Sequence, residues 1–229
     1  MQSLEITVVT ASINRPTLGR ACDSVQSQTL LPLRHCILLQ QRLQRPWIDI
    51  AKPAHVPIAI LWLPPPQPAD MAQVYNLADE MAHTEWVAML DDDCWWEPEH
   101  LETLAVLAEE TGSDFVWSSS YLHDERTGKL LGKRDDPMPQ LGHIDTNEIL
   151  FRRDCIDRWG DFSMKDPGME RFRGRGIDGR RIERWVRGGA RYAHSGRATC
   201  HFDWRPVPES YHGELDAQGR PMPIRAAVS

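Results

Sequence analysis

Apolar residues fall in short β-branched runs separated by stretches of helical spacing, and this alternation fills the first 120 residues. Leu4–Thr10 (LEITVVT) predicts a buried strand. Asn14-Arg15-Pro16 follows, with proline suited to a first helical turn, and Leu18, Ala21, Cys22 and Val25 then recur at helical spacing up to Gln28. Leu33–Gln40 and Val56–Leu63 predict two more strands. The second of these must stop at Pro64-Pro65-Pro66, which cannot donate ladder hydrogen bonds. Asp70 and Gln73 have the spacing of a capping box, ahead of a helix whose apolar face is Met71, Val74, Ala78 and Met81. Trp86–Leu90 predicts a fourth strand that runs straight into Asp91-Asp92-Asp93. Pro98–Thr111 predicts a helix closed by Gly112, and Asp114–Ser119 another strand.

Strands alternating with helices predict an α/β fold with a mostly parallel, doubly wound central sheet and flanking helices. Ligands of such sheets bind beyond the carboxyl ends of the strands, which is where the three aspartates lie. The second half is less periodic. Thr127-Gly128 predicts a turn, Asp135–Pro139 a loop, Thr146–Phe151 (TNEILF) a short strand, and Ile177–Arg187 a helix stopped by Gly188-Gly189. We expect one domain over residues 1–205. The tail, 206–229, holds four prolines and little apolar periodicity, and is expected to form a lid or an arm over the site.

Composition narrows the function. Hydrophobic residues are 41% and charged residues 26% of the 229, as in ordinary globular proteins. A net charge of −7 argues against a nucleic-acid partner bound through its phosphates. Eight arginines nevertheless crowd the segment from Arg171 to Arg191, which suits a small anionic ligand or a solvated charged face. Five cysteines, odd in number and without a CxxC pair, fit reduced thiols. With no long apolar run and no signal-peptide pattern, the expected location is cytoplasmic, with no membrane span.

Three adjacent carboxylates raise one another's pKa unless a cation sits among them. Mg²⁺ or Mn²⁺ prefers oxygen ligands and leaves room for water and phosphate. On an extended segment Asp91 and Asp93 would face one site and Asp92 the other side. A solvated acidic loop or a helix cap is the plainer reading of the same residues.

Several segments resemble, in order, the family 2 GT-A glycosyltransferases. They are Val8–Thr29 (VVTASINRPTLGRACDSVQSQT), Asn76 with Ala82, Trp86–Pro98 (WVAMLDDDCWWEP), Thr146–Arg153 (TNEILFRR) and Ile177–Arg191 (IDGRRIERWVRGGAR). The resemblance implies a Rossmann-like GT-A fold, with residues 1–120 binding a nucleotide sugar and residues 121–205 serving the acceptor and the catalytic base. It implies an inverting transfer from a nucleoside-diphosphate sugar, with a UDP-sugar favoured, to an acceptor hydroxyl. Asp91 and Asp93 would be metal ligands in a DXD motif, with His201 as a further ligand, and Asp178 would be the general base. Ser12, Asn14, Arg15, Gln40, Asn76, Asp92, Arg175 and Arg181 would contact the donor. Trp96, Thr146 and Asn147 would contact the acceptor.

The family pattern is not complete. Gln40-Gln41 replaces an acidic residue that usually meets the base, Ile177 stands before Asp178 where glutamate is frequent, and Ala11 stands where proline is usual. A nucleotidyltransferase on a related sheet would need a glycine-rich, lysine-containing first loop, which Ala11-Ser12-Ile13-Asn14 is not. A binding module that keeps the fold without turnover is the other alternative.

Overall fold

A computed structural model of the protein describes residues 4–40, 55–63, 71–135, 137, 144–162 and 177–204. The strands are β1 (Ile6–Ser12), β2 (Arg34–Leu39), β3 (Ile58–Trp62), β4 (Trp86–Met89), β5 (Cys94–Trp96), β6 (Phe115–Asp124), β7 (Leu130–Arg134), β8 (Ile149–Arg152) and β9 (Tyr192–Trp204). The helices are α1 (Leu18–Gln26), α2 (Met71–Met81), α3 (His100–Thr111), α4 (Asp154–Trp159) and α5 (Ile177–Arg187).

The strands form a single nine-stranded sheet in the order β3-β2-β1-β4-β8-β6-β9-β5, with β7 beside β6. β3, β2, β1 and β4 are parallel neighbours, β8 is antiparallel to β4 and to β6, and β9 runs parallel to β6. The parallel part needs both faces covered, and alternate residues supply both. Val9, Leu38, Val87 and Met89 pack with Val74, Ala78, Ile182 and Trp185 of α2 and α5. Ile6, Val8, Trp86, Ala88 and Leu90 pack on the other face with Ala21, Val25, Leu101 and Leu104 of α1 and α3. The expected α/β sheet with flanking helices is therefore present. Among the described residues no helix is long and apolar enough to cross a membrane.

The local differences have physical causes. Thr146–Glu148 is a turn of 3-10 helix, and the strand expected over 146–151 begins only at Ile149. Asp145 accepts from the Asn147 backbone N–H while the Glu148 side chain accepts from the Asp145 N–H, a reciprocal cap that outcompetes extension. α3 ends at Gly112 in the left-handed region, φ 60°, as expected. Strand β9 was not foreseen. It is polar along much of its length and is held by neighbours distant in sequence, β6 and β5. The Asp70 cap, part of the 135–139 loop, Arg175, and the tail from Pro206 lie outside the described residues.

Candidate active site

The carboxyl ends of β1, β2 and β4 converge on one cleft of about 200 Å³, lined by Ala11, Ser12, Ile13, Arg15, Gln40, Tyr75 and Asp91–Asp93. Register explains the meeting. Ser12 lies opposite Leu39, the residue before Gln40, and Val9 lies opposite Met89, two residues before Asp91.

The three aspartates occupy a turn, in which the Cys94 N–H donates to the Asp91 carbonyl at 3.2 Å. Since they are not extended, simple alternation does not separate them, and all three line the cleft. Asp92 is buried and organises the loop after β1. Its Oδ2 accepts from the Ser12 hydroxyl at 2.6 Å, and its Oδ1 accepts from the Arg15 guanidinium at 3.1 Å. The Ser12 hydroxyl in turn accepts from the Asn14 N–H at 2.8 Å, and Asn14 takes the left-handed φ of 65° that asparagine tolerates. The same Arg15 nitrogen pairs with Asp93. Arg15 is thus the resident cation over two of the three carboxylates.

Asp91 is held differently. Its Oδ1 accepts from the Tyr75 hydroxyl at 2.8 Å and its Oδ2 from the Asn147 amide at 3.0 Å, while its own N–H donates to the Asn147 side-chain oxygen. Burial, then the charges of Asp145 and Asp93, push its pKa up to about 8, against the pull of the hydrogen bonds from Asn147 and Tyr75. Burial also raises Asp93, with the Arg15 charge opposing. Burial would lower the Arg15 pKa, but Asp93 and Asp92 outweigh it and the net shift is upward. The donor set is oxygen-rich and, among the described residues, under-neutralised, the chemistry a hard divalent cation fits. Among the described residues no group of three or more His, Cys, Asp or Glu is arranged to hold a metal ion.

The remaining expected residues are distributed as follows. Asn147 and Thr146 are buried on the 3-10 turn, and Asn147 reaches Asp91. Trp96 is buried, donating from Nε1 to the Asn147 carbonyl at 2.9 Å, so its ring supports that turn. Both amide atoms of Asn76 clasp the backbone of Phe162, each at 2.8 Å. Arg181 is buried in an ion pair with Asp79. His201 stacks on Trp95, with one ring nitrogen 2.9 Å from Glu97 and the other 2.9 Å from His123. Burial lowers its pKa while Glu97 opposes. The Arg20 guanidinium lies over the Trp95 ring, 3.7 Å from its centre, and Arg20 also reaches the Asp93 carbonyl. Asp178 lies in the first turn of α5 by its backbone, and Arg175 is outside the described residues.

Sequence reasoning missed Tyr75 and Asp145. The D-x-x-E spacing of Asp145 and Glu148 was a readable capping signal. Tyr75 sits on the predicted helix, next to the Asn76 that drew attention instead.

The pattern of the family described as Glycosyl transferase family 2 matches residues 7–164, well over half of the chain. No curated protein matches the sequence. Among solved structures, that of S. aureus TarS 1-349 is similar with a TM-score of 0.62 and 14% identity, covering 87% of this chain and 60% of that one. The structure of S. aureus TarS 1-349 in complex with UDP-GlcNAc is similar with a TM-score of 0.61 and 13% identity, covering 92% and 62%. At these identities the likeness is one of fold, and the chain spans about three fifths of the length of those two structures.

Proposed function

The chain belongs to glycosyl transferase family 2, and from that premise we propose that it transfers a sugar from a nucleoside-diphosphate sugar, a UDP-sugar in preference, to an acceptor hydroxyl with inversion at the anomeric carbon. The observation that carries this reading is the acidic cleft at the carboxyl ends of β1, β2 and β4, with the Arg15 guanidinium bridging Asp92 and Asp93. The similar fold of TarS, described in complex with UDP and with UDP-GlcNAc, favours a uridine diphosphate donor.

In this reading the nucleoside lies along Ser12, Ile13 and Gln40, whose side-chain amide can hydrogen-bond the edge of a base. Asp91 and Asp93 would hold Mg²⁺ or Mn²⁺ against the diphosphate. The ion would supply positive charge to neutralise the leaving group. Arg15, already between Asp92 and Asp93, is placed to turn toward the diphosphate and stabilise charge that grows as the sugar departs. Tyr75 and Asn147 fix the Asp91 carboxylate so that no orientation has to be found during reaction.

Asp178, one turn before Arg181 on α5, is the proposed base. It takes the proton of the acceptor hydroxyl as that oxygen bonds to the anomeric carbon. The bond from that carbon to the phosphate oxygen breaks, and the nucleoside diphosphate leaves with the electron pair. Release of nucleoside diphosphate from a panel of nucleotide sugars, with Mn²⁺ and a panel of hydroxyl acceptors, tests the reading. Turnover that Asp178→Asn removes supports it. Metal-dependent binding with neither transfer nor hydrolysis would instead make the protein a nucleotide-sugar-binding module.

A further inference from the structure

Arg181 is the one arginine of the basic segment drawn fully into the core among those described. Its guanidinium pairs with Asp79, Nη1 to Oδ2 at 3.4 Å and Nη2 to Oδ1 at 3.5 Å, with both side chains 3% exposed. The rings of Phe151, Phe162 and Trp185 surround it at 4.2–4.4 Å. A buried ion pair is poor evidence of stabilisation, since desolvation offsets much of the attraction and apolar replacements of like volume often do as well. This pair does join the two elements that carry it.

Those elements are α2 and α5. Tyr75 stands one turn before Asp79, hence on the same face of α2. From that face Tyr75 donates to Asp91 and Asp79 grips Arg181, while the adjacent Asn76 clasps Phe162 in both directions. From the side of α5, Trp185 Nε1 donates to the Gly160 carbonyl at 2.9 Å and Arg184 donates to the Asp161 carbonyl. One helix face therefore connects the acidic cleft to the helix that carries Asp178, and the segment 160–162 is held between them.

We propose that Asp79, through its ion pair with Arg181, is a positioning residue that sets α5, and with it Asp178, in register with the acidic cleft. The proposal rests on Asp178 being the base. Loss of the pair leaves the cleft intact, so it depresses turnover and not donor binding. A displacement on the order of 1 Å at a reacting group costs about 100-fold in rate.

Two variants of the full chain test this, each with thermal unfolding, calorimetric donor affinity and steady-state kinetics. Asp79→Leu/Arg181→Met replaces the charges with apolar groups in a pocket already aromatic. Arg181→Lys keeps the charge and loses the two-pronged geometry. The expected result is an ordinary unfolding transition and wild-type donor affinity, with kcat reduced about 100-fold in the double variant and less in Arg181→Lys. Wild-type kcat in either folded variant overturns the proposal, and a raised donor Kd with unchanged kcat would make Arg181 a donor contact instead. Wild-type protein that neither binds nor turns over any nucleotide sugar would overturn the functional reading itself.

Discussion

Asn147 holds Asp91 at two points: its side-chain oxygen accepts from the Asp91 backbone N–H, and its amide nitrogen donates to Asp91 Oδ2 at 3.0 Å. The same amide donates to Asp145 Oδ1 at 2.6 Å, so one neutral side chain separates two carboxylates. Replacement by aspartate removes the donor and adds a third negative charge. A hydrogen bond to a charged group contributes about 1.5–3 kcal/mol. Asn147→Asp is therefore expected to raise the KM for donor roughly 10- to 100-fold, while Asn147→Ala gives a smaller rise. Kinetics at fixed Mn²⁺ measure both.

Arg15 neutralises Asp92 and Asp93. Without it the carboxylates repel one another unopposed, so Arg15→Ala is expected to lower the melting temperature in the absence of divalent ions. Added Mn²⁺ should then raise it by more than it raises that of the wild type, because a ligand that binds only the folded state stabilises it. Thermal shift with and without the ion reads the difference. Equal shifts would mean that Arg15 does not share its position with a cation.

Burial pushes Asp79 up to about 6 from an ordinary 3.8, against the pull of Arg181. A carboxylate with a raised folded pKa binds more protons folded than unfolded between those two values. Its contribution to stability is largest below pH 3.8, falls as pH rises to about 6, and is constant above. Asp79→Asn should remove this slope while lowering stability overall, since it leaves the Arg181 charge uncompensated. Denaturant unfolding of the two proteins at several pH values across that window gives the comparison. Parallel curves would contradict the assignment.

A β-carbon on Gly188 would strike the Trp159 indole, 2.7 Å from Nε1, the very atom that donates to the Gly188 carbonyl. Gly188→Ala must push that ring away and break the bond, with an expected loss of about 1–3 kcal/mol. Gly189→Ala meets no neighbour but is strained at φ 90°. Equilibrium unfolding compares the two.

The first half of the fold was readable because its chemistry is local. Val8 and Val9 send side chains to opposite faces of the sheet, and Gly112 closes α3 where a left-handed residue is needed. The site was half readable. The position of Asp91–Asp93 followed from the strand before them, but a turn in place of extension gave Asp92 its hold on Ser12 and Arg15, which spacing does not encode. The family resemblance implied ligand contacts for Asn76, Trp96 and Arg181. Their partners are Phe162, the Asn147 carbonyl and Asp79, each brought near only by tertiary packing. Strand β9 was illegible for the same reason, since its half-polar pattern becomes a strand only beside β6 and β5.

The central claim is that the acidic cleft seats a nucleoside diphosphate through a divalent ion. Calorimetric titration of UDP and a panel of other nucleoside diphosphates into the wild type, Asp91→Asn and Asp93→Asn, with and without Mn²⁺, tests it most directly. The expected result is binding by the wild type that strengthens at least about tenfold with the ion, and loss of that gain in both variants. Binding that is equal in all three proteins, or absent from the wild type across the panel, would contradict it.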